Sequence, residues 1–262
     1  MNYLREVQYR DDRNVEARIN LHERFSVNPR GWHRWVFERL AIPPDASVLE
    51  LGCGPGTLWA KNRDRIDPSW RLTLSDFSSG MVGVARQTLA DVGESFQFAC
   101  IDAQAIPFAD AGFDVVIANH MLYHVPDRER ALREIRRALR LGGVLYAATN
   151  GHAHLRELDD LAATVGYDHE MILSAMEFGL ETGRAQLERF FVEVAIARYE
   201  DGLVVTQPEP LMDYIASMST ARSFDASALA TVRAHVESVI AAEGAFRITK
   251  DSGLFTARHA AA

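Results

Sequence analysis

Short apolar runs alternate with amphipathic segments along the middle of this 262-residue chain. Five of these runs have the length of buried strands, and polar or glycine-rich turns bound them. Between them, apolar residues recur at helical spacing, as over Ser79–Asp91 and Asp127–Leu139. The alternation predicts a parallel sheet with helices on both faces. The predicted strands are Ser47–Leu51, Arg71–Ser75, Ser95–Ile101, Phe113–Ala118 and the VLYAAT run after Gly142-Gly143.

The segments that flank this alternation have different patterns. Residues 1–45 are polar and aromatic, and they predict helices that end before Pro43-Pro44. Residues 151–191 also have helical patterns, and we interpret them as an insertion that covers the ligand end of the sheet. Met171, Met176 and Phe178 give this predicted lid an apolar character suited to a medium-sized acceptor.

The C-terminal part returns to strands and helices. Strands are predicted at Val192–Tyr199 and Leu203–Thr206, and an antiparallel pair is predicted around Asp251-Ser252-Gly253. Helices are predicted over Leu211–Met218 and Ala226–Ala242. The expected organisation is therefore a helical cap (1–45), a core (46–150), a lid insertion (151–191) and a C-terminal part of the core sheet (192–262).

Composition and charge narrow the classes of function. The net charge is −8, which disfavours binding to nucleic-acid phosphates. The two cysteines, Cys53 and Cys100, allow neither a disulfide framework nor a zinc motif, so we expect a reducing, cytoplasmic setting. The charged first residues lack the apolar centre of a signal peptide, and no apolar run approaches the roughly 20 residues that span a membrane. We therefore expect no membrane partner.

The segment VLELGCGPGT, residues 48–57, has the strongest chemical signal. An apolar strand runs into Gly52, Gly54 and Gly56, which permit tight turns and let a ligand approach the backbone without meeting a Cβ. The dinucleotide fingerprint needs a glycine at position 57, where Thr57 stands, which disfavours NAD or FAD. A Walker loop is excluded because no Gly-Lys-Ser/Thr follows.

Two acids end the next two predicted strands. Asp76 lies 20 residues after Gly56, and a carboxylate there can accept hydrogen bonds from both hydroxyls of an adenosine ribose. Asp102 ends the third strand, where its side chain or its neighbours can meet the adenine amino group. The alternative roles are a helix N-cap for Asp76 and an ordinary loop position for Asp102. A glycine loop followed by two such acids indicates an adenosine-containing cofactor.

The segments VLELGCGPGT, LSDFSSGMVGVAR, IDAQAIPFADAGFDVVIANHMLYHVPD and ALREIRRALRLGGVL together resemble the class I S-adenosylmethionine-dependent methyltransferase superfamily. The resemblance runs in order from about Ser47 to Thr149, and it is strongest to the small-molecule branch called the type 11 methyltransferase domain. It implies a Rossmann-like, seven-stranded α/β sheet, mostly parallel with one antiparallel strand near the edge. It also implies S-adenosylmethionine as the cofactor and S-adenosylhomocysteine as the product.

The resemblance further implies which residues contact the cofactor. One departure from the common pattern is Glu50, where many relatives have Asp. The implied cofactor-binding residues are Glu50, Gly52, Gly54, Gly56 and Asn119 (through its backbone) at the methionine end, Asp76, Phe77 and Met81 at the ribose and adenine, and Asp102 and Ala103 at the adenine.

Two histidines after the fourth strand are candidates for catalysis. His120 and His124 are four residues apart, which places them on one face if that turn is helical. An imidazole titrates near neutral pH, so either can serve as a general base for the acceptor. The alternative is a structural role, which the wide occurrence of LYHVPD among relatives with unlike acceptors favours. His152 and His154 have no acid–histidine cluster beside them, so we expect no metal site.

We expect direct in-line transfer of a methyl group to a small-molecule acceptor. Positioning of the two reactants can contribute on the order of 7–11 kcal/mol to such a step, so a dedicated catalytic side chain is not required. The acceptor class stays open among secondary metabolites, quinones, lipids and amines, and the chain is expected to be a monomer or homodimer. The alternatives are a protein methyltransferase, a nicotinamide oxidoreductase and a non-catalytic cofactor-binding module.

Overall fold

The computed structural model describes residues 13–92, 96–166, 175–217 and 224–261. The chain divides into two compact units. The sheet unit comprises Trp32–Gly151, Ala175–Tyr199 and Ser252–Ala262, and the helical unit comprises Met1–Gly31, His152–Ser174 and Glu200–Asp251. Ser95, Met218, the predicted lid residue Met171 and the side chain of Met176 lie outside the described residues.

Seven strands form one sheet in the part of the chain that the structure describes. They are β1 (Ser47–Leu51), β2 (Arg71–Asp76), β3 (Phe96–Cys100), β4 (Phe113–Asn119), β5 (Leu139–Asn150), β6 (Val192–Val205) and β7 (Phe246–Arg258). Their order is β3-β2-β1-β4-β5-β7-β6. Strands β1 to β5 pair in parallel, and β7 pairs antiparallel with β5. The expected fold class is therefore confirmed.

The helices occur between the strands and around them, and side-chain caps fix the start of several. Ser78 accepts a hydrogen bond from the backbone N–H of Met81, and Asp127 accepts one from that of Arg130. The predicted helix over Asp127–Leu139 thus begins one residue later, with Asp127 as its cap. The helices are α1 (Arg13–Phe25), α2 (Trp32–Phe37), α3 (Thr57–Ala60), α4 (Ser79–Thr88), α5 (Arg128–Ala138), α6 (Arg156–Thr164), α7 (Gly183–Leu187), α8 (Pro208–Ala216) and α9 (Ala226–Glu243). Among these described helices, none combines the length and the hydropathy that a membrane-spanning segment needs.

The central strands are buried on both faces. In β4, Val115 and Ile117 belong to one apolar cluster, whereas Val116 and Ala118 belong to another. Successive side chains of a strand point to opposite faces, so the two clusters are the cores above and below the sheet. A parallel sheet covered on both faces needs such continuous apolar runs, which explains the sequence pattern of β1 and β4.

The helical unit has an apolar core of its own. Leu21 of α1, Leu158 of α6, Leu211 of α8 and Val236 of α9 are buried together, with Phe246 at the start of β7. Each helix contributes one apolar stripe to this cluster, as the sequence periodicity of amphipathic helices requires.

The antiparallel pair predicted around Asp251-Ser252-Gly253 is wrong, because β7 is a single strand from Phe246 to Arg258. Ser252 and Gly253 pair with Asn150 and Thr149 of β5, so they continue the ladder and do not form a turn. A Cβ on Gly253 would lie 2.7 Å from the carbonyl oxygen of Ala197. The glycine therefore permits a close approach of two backbones. In the sequence, a glycine with this role has the same appearance as a glycine that marks a turn.

The two strands predicted at Val192–Tyr199 and Leu203–Thr206 are also one strand, β6. The polar residues between the two predicted strands do not form a loop, and one of them, Asp201, makes tertiary hydrogen bonds and an ion pair. Within the helical unit, the Asp201 carboxylate accepts hydrogen bonds from Ser26 Oγ at 2.6 Å and from the Asn28 backbone N–H at 3.0 Å, and it pairs with Lys250. A charged residue inside a strand thus fixes the segment that follows α1.

We expect Gly253→Ala to lower the free energy of unfolding by about 1–3 kcal/mol, because the new methyl group meets the Ala197 carbonyl oxygen. Gly83→Ala in α4 is the matched control, because a Cβ there has no neighbour within 4 Å and a helical interior favours alanine over glycine. Urea unfolding of both variants measures the difference. Equal stability of Gly253→Ala and wild type would contradict the close approach.

Candidate functional site

The candidate site lies in the sheet unit, at the carboxyl ends of β1 and β4. Strand order runs from β1 through β2 to β3 in one direction and from β4 to β5 in the other, so it reverses between β1 and β4. In open α/β sheets, ligands bind outside the carboxyl ends of the strands at this reversal. The glycine loop, Asp76, Asp102 and Asn119 all follow or end strands at this edge of the sheet.

The glycine loop after β1 bends through left-handed backbone conformations. The φ angles of Gly52, Gly54 and Gly56 are 69°, 52° and 78°. Residues other than glycine rarely adopt this backbone region. A Cβ on Gly52 would lie 2.7 Å from the Cβ of Met121, so Gly52 lets the loop pack against the segment after β4. A Cβ on Gly54 would meet no heavy atom within 4 Å, so its backbone is open to a ligand.

Asp76 holds the glycine loop from the neighbouring strand. Its carboxylate accepts hydrogen bonds from the backbone N–H of Gly54 at 3.0 Å and of Ser78 at 2.8 Å. Ser78 in turn caps α4, so Asp76 is not the helix N-cap. Burial raises the pKa of the Asp76 carboxyl above its usual range, although the backbone N–H donors oppose this shift. Each carboxylate oxygen retains acceptor capacity for a further donor.

Glu50 is a buried acid in the middle of the site. Only 2% of the residue is exposed, and its Oε2 accepts a 2.6 Å hydrogen bond from the indole Nε1–H of Trp59. Burial raises the pKa of the carboxyl to about 7, and the negative charge of Asp76 adds to this shift. The described residues provide Glu50 with no ion-pair partner.

Asn119 ends β4, two residues beyond Ile117, which is the β4 partner of Glu50. Its Nδ2 donates to Glu50 Oε1 at 3.5 Å, which joins β1 to β4 across the reversal of strand order. The amide oxygen, Oδ1, is buried without a hydrogen-bond partner among the described residues. A buried acceptor of this kind carries a free-energy cost that a ligand donor can remove.

Asp102 follows β3, and its carboxylate is held by Gln104. The backbone N–H of Gln104 donates to Oδ1 at 2.9 Å, and the side-chain Nε2 donates to both carboxylate oxygens. The Gln104 Oε1 accepts from the backbone N–H of Asp127, the cap of α5. Asp102 thus connects the end of β3 to the start of α5, and the buried Ala103 lies between the two partners.

Phe77 and Met81 follow Asp76 at the start of α4. Phe77 is half-buried, and its carbonyl oxygen accepts a hydrogen bond from Cys100 Sγ at 3.3 Å. Met81 is 3% exposed. Phe77 therefore contacts the end of β3, whereas Met81 lies in the first turn of α4.

The structure does not place His120 and His124 on one helical face, because the helical turn begins only at Leu122. His120 has a left-handed backbone (φ 50°), and its N–H donates to the carbonyl oxygen of Ala148. Its ring lies 5.0 Å from the ring of Trp32, and the His124 ring lies 4.5 Å from that of Tyr123. Both imidazoles belong to an aromatic cluster beside the carboxyl end of β4.

Two residues of the site were not identified from the sequence. Trp59 is a fully buried tryptophan of α3, and only the fold shows that its indole N–H meets Glu50. Gln104 lies in the polar loop after β3, where no local pattern distinguishes it from a solvated residue. Cys53 in the glycine loop is a buried thiol, and the described residues contain no group of three or more ligands placed to hold a metal ion.

Comparison with known proteins identifies the core. Residues 49–147 match the family model described as a methyltransferase domain. The ubiquinone/menaquinone biosynthesis C-methyltransferase of Hahella chejuensis is 36% identical over 118 residues, which are 44% of this chain and 47% of the relative. The protein of the same name from Shewanella frigidimarina is 33% identical over 137 residues, or 50% and 55% of the two chains. The chain thus spans about half the length of the curated relatives it matches.

Solved structures support the fold. The YcgJ protein of Bacillus subtilis superposes with a TM-score of 0.59 at 16% identity, over 88% of this chain and 98% of that one. A phosphoethanolamine N-methyltransferase of Haemonchus contortus, in complex with S-adenosyl-L-methionine, gives a TM-score of 0.60 at 17% identity, over 99% of this chain and 59% of that one. Residues 49–147 are therefore a methyltransferase domain, and the resemblance to the class I S-adenosylmethionine-dependent superfamily is confirmed over this core.

Proposed function

We propose that this chain is an S-adenosylmethionine-dependent methyltransferase that acts on a small-molecule acceptor. The observation that carries the proposal is the open backbone bend at Gly54, tied to the carboxylate of Asp76 at the reversal of strand order. The bend offers space for a ligand next to an acceptor for ribose hydroxyls. The match of residues 49–147 to a methyltransferase domain supports this use of the bend.

The described residues fit the cofactor at one further point. The buried Oδ1 of Asn119 has no hydrogen-bond partner among them, which suits a ligand that brings a donor to the end of β4. In the proposal, Glu50 and Asn119 face the methionine portion and Asp76 binds the ribose. Phe77 and Met81 lie by the ribose and adenine, and Asp102 and Ala103 contact the adenine.

The protein's part in the reaction is to bind, orient and exclude water. When bound, S-adenosylmethionine supplies a methyl group that is activated by its positively charged sulfur. The glycine loop would hold the methionine portion and Asp76 the ribose, so the methyl group between them would keep one orientation toward the acceptor. Held by these residues, the cofactor would supply the methyl group for in-line transfer, with the carbon–sulfur bond breaking as the bond to the acceptor forms and S-adenosylhomocysteine as the leaving group. An acceptor atom that carries hydrogen would then lose its proton to solvent.

The role of His120 or His124 as a proton acceptor for the substrate stays a prediction. Their ring contacts with Trp32 and Tyr123 account for their positions without any catalytic role. An acceptor that carries a free lone pair needs no base for the transfer step. The proposal therefore does not depend on either histidine.

The acceptor is proposed only as a class. The curated relatives are named for C-methylation in ubiquinone and menaquinone biosynthesis, and one structural neighbour is named for N-methylation of phosphoethanolamine. The net charge of −8 supports a small molecule over nucleic acid. A cytoplasmic location, a monomeric or homodimeric state, and the four-part organisation into cap, core, lid and C-terminal part are retained as proposals.

We expect Asp76→Asn to weaken binding of S-adenosylhomocysteine roughly 10- to 100-fold, because a hydrogen bond to a charged acceptor is worth about 1.5–3 kcal/mol. Calorimetric titration measures the affinity. Asp91→Asn is the control, because this acid is exposed and forms a surface pair with Arg63. Unchanged affinity in Asp76→Asn would contradict the ribose role, and tight binding of NADH by the wild type would favour an oxidoreductase.

We expect the wild type to transfer the labelled methyl group of S-adenosylmethionine to at least one small acceptor, because the positioning elements of the core are complete. The assay offers acceptors of two chemistries, a demethylated quinol and a primary amine with a phosphate group. Radiolabel in the extracted product measures the transfer. Tight cofactor binding with no transfer to small molecules, together with labelling of proteins, would favour a protein methyltransferase.

A further inference from the structure

The loop between β3 and β4 connects the proposed adenine contacts to helix α5. Asp102 and Ala103 lie near its start, and the backbone N–H of Ala105 donates to the carbonyl oxygen of Asp102 at 2.9 Å, which closes a turn. Ile106 follows this turn directly, and only 3% of the residue is exposed. The position of Ile106 therefore constrains the two residues for which adenine contact is proposed.

Both backbone hydrogen-bonding groups of Ile106 bind one ion pair of α5, formed by Glu134 and Arg137. The Ile106 N–H donates to Glu134 Oε2 at 3.0 Å, and its carbonyl oxygen accepts from Arg137 Nη2 at 2.8 Å. The two side chains join each other at 2.8 Å, three residues apart in the helix. Hydrogen bonds from Arg137 hold the pKa of the Glu134 carboxyl below its usual range, so the pair is ionised at neutral pH. Charge-assisted hydrogen bonds are stronger than neutral ones, so the pair holds Ile106 firmly.

The guanidinium of Arg137 uses all five of its N–H donors in this arrangement. Nε and Nη2 each donate to one carboxylate oxygen of Glu134. The other three donors bind the loop, at the carbonyl oxygens of Ile106 and Phe108, both at 2.8 Å, and at Asp110 Oδ1 at 2.7 Å. Arginine presents its five donors in a rigid planar fork, which suits a residue that fixes several points of one loop.

Helix α5 also contacts the loop at its start and at its end. The Gln104 side chain donates to the Asp102 carboxylate and accepts from the backbone N–H of Asp127 at 3.0 Å. The backbone N–H of Ala111 donates to the carbonyl oxygen of Arg137 at 2.9 Å. Because one helix contacts the loop along its whole length, loss of the middle contact is expected to displace Asp102.

We propose that Arg137, together with Glu134, is a positioning residue for recognition of the cofactor's adenine. The pair holds Ile106–Asp110, and thereby keeps Asp102 and Ala103 where the base binds. The inference rests on the proposed function. Without the pair the loop occupies several positions, so the affinity for a ligand that uses the loop falls with the fraction of correctly placed loops. A ligand that gains nothing from the loop keeps its affinity.

Calorimetric titration with two related nucleosides tests the inference. S-adenosylhomocysteine presents the adenine amino group, whereas S-inosylhomocysteine has at that point a carbonyl oxygen, which cannot donate to a carboxylate. We expect the wild type to bind the adenosine compound about tenfold more tightly. Arg137→Gln weakens S-adenosylhomocysteine about tenfold and leaves S-inosylhomocysteine unchanged, so the preference disappears. Arg137→Lys keeps the charge without the fork, so we expect a preference of about threefold.

Two further variants separate the loop contact from other effects of charge and stability. Arg133→Gln is the matched control, because Arg133 lies in the same helix and its ion pair is with Glu129, so both affinities stay unchanged. Glu134→Gln can still accept from Ile106 but lacks the charge that binds Arg137, so it lowers the preference in part. The double variant Glu134→Gln/Arg137→Gln has no larger effect than Arg137→Gln, because both residues act through one loop.

Thermal unfolding midpoints establish that each variant is folded at the temperature of titration. If Arg137→Gln weakens both compounds by the same factor, or weakens neither, Arg137 does not position the adenine and the inference is overturned. Where Arg137→Gln does not fold, Arg137→Lys and Glu134→Gln decide by the same comparison.

The wild type separates this inference from the proposed function. Equal affinity of the wild type for the two compounds would overturn the inference, because the loop then does not recognise the adenine, while cofactor binding stands. If S-adenosylhomocysteine does not bind the folded wild type, the proposed function is overturned as well.

Discussion

The bend between β1 and α3 is the constraint on which the rest of the site depends. It brings the Gly54 N–H to the Asp76 carboxylate and the Cys53 N–H to the carbonyl oxygen of Ser75, so two neighbouring strands end in one connected loop. The bend exists because Gly52 lacks a Cβ at a point 2.7 Å from the Cβ of Met121. One missing atom therefore positions the glycine loop against both β2 and the segment that follows β4.

The same bend brings two carboxyl groups, those of Glu50 and Asp76, close together in the protein interior. Glu50 and Asp76 lie on adjacent strands, and burial raises the pKa of both carboxyls. Such an arrangement is costly in an isolated domain, because each desolvated acid opposes ionisation of the other. Perturbed acids of this kind cluster at functional sites, where a ligand of opposite charge supplies the missing interaction. The acidity thus favours a positively charged ligand over an anionic one.

The two units of the chain differ in their match to the methyltransferase family model. The family model matches residues 49–147, all of which belong to the sheet unit, and it covers none of the helical unit. The sequence similarity to methyltransferases described by this model therefore lies within the sheet unit. The helical unit has its own core, to which Leu21, Leu158, Leu211 and Val236 belong.

Sequence patterns were sufficient to predict the alternating strands and helices of the core, the glycine loop and the acids at the ends of β2 and β3. These features are local: apolar runs, helical periodicity and glycine spacing express backbone preferences within about ten residues. The tertiary structure alone decided that β6 and β7 are continuous, that Trp59 and Asn119 hold Glu50, and that Gln104 holds Asp102. Gly253 and Asp201 resembled turn residues because glycine and aspartate favour turns when isolated. Their actual roles depend on strands distant in sequence, since a close backbone approach and a buried ion pair are set by packing and not by neighbouring residues.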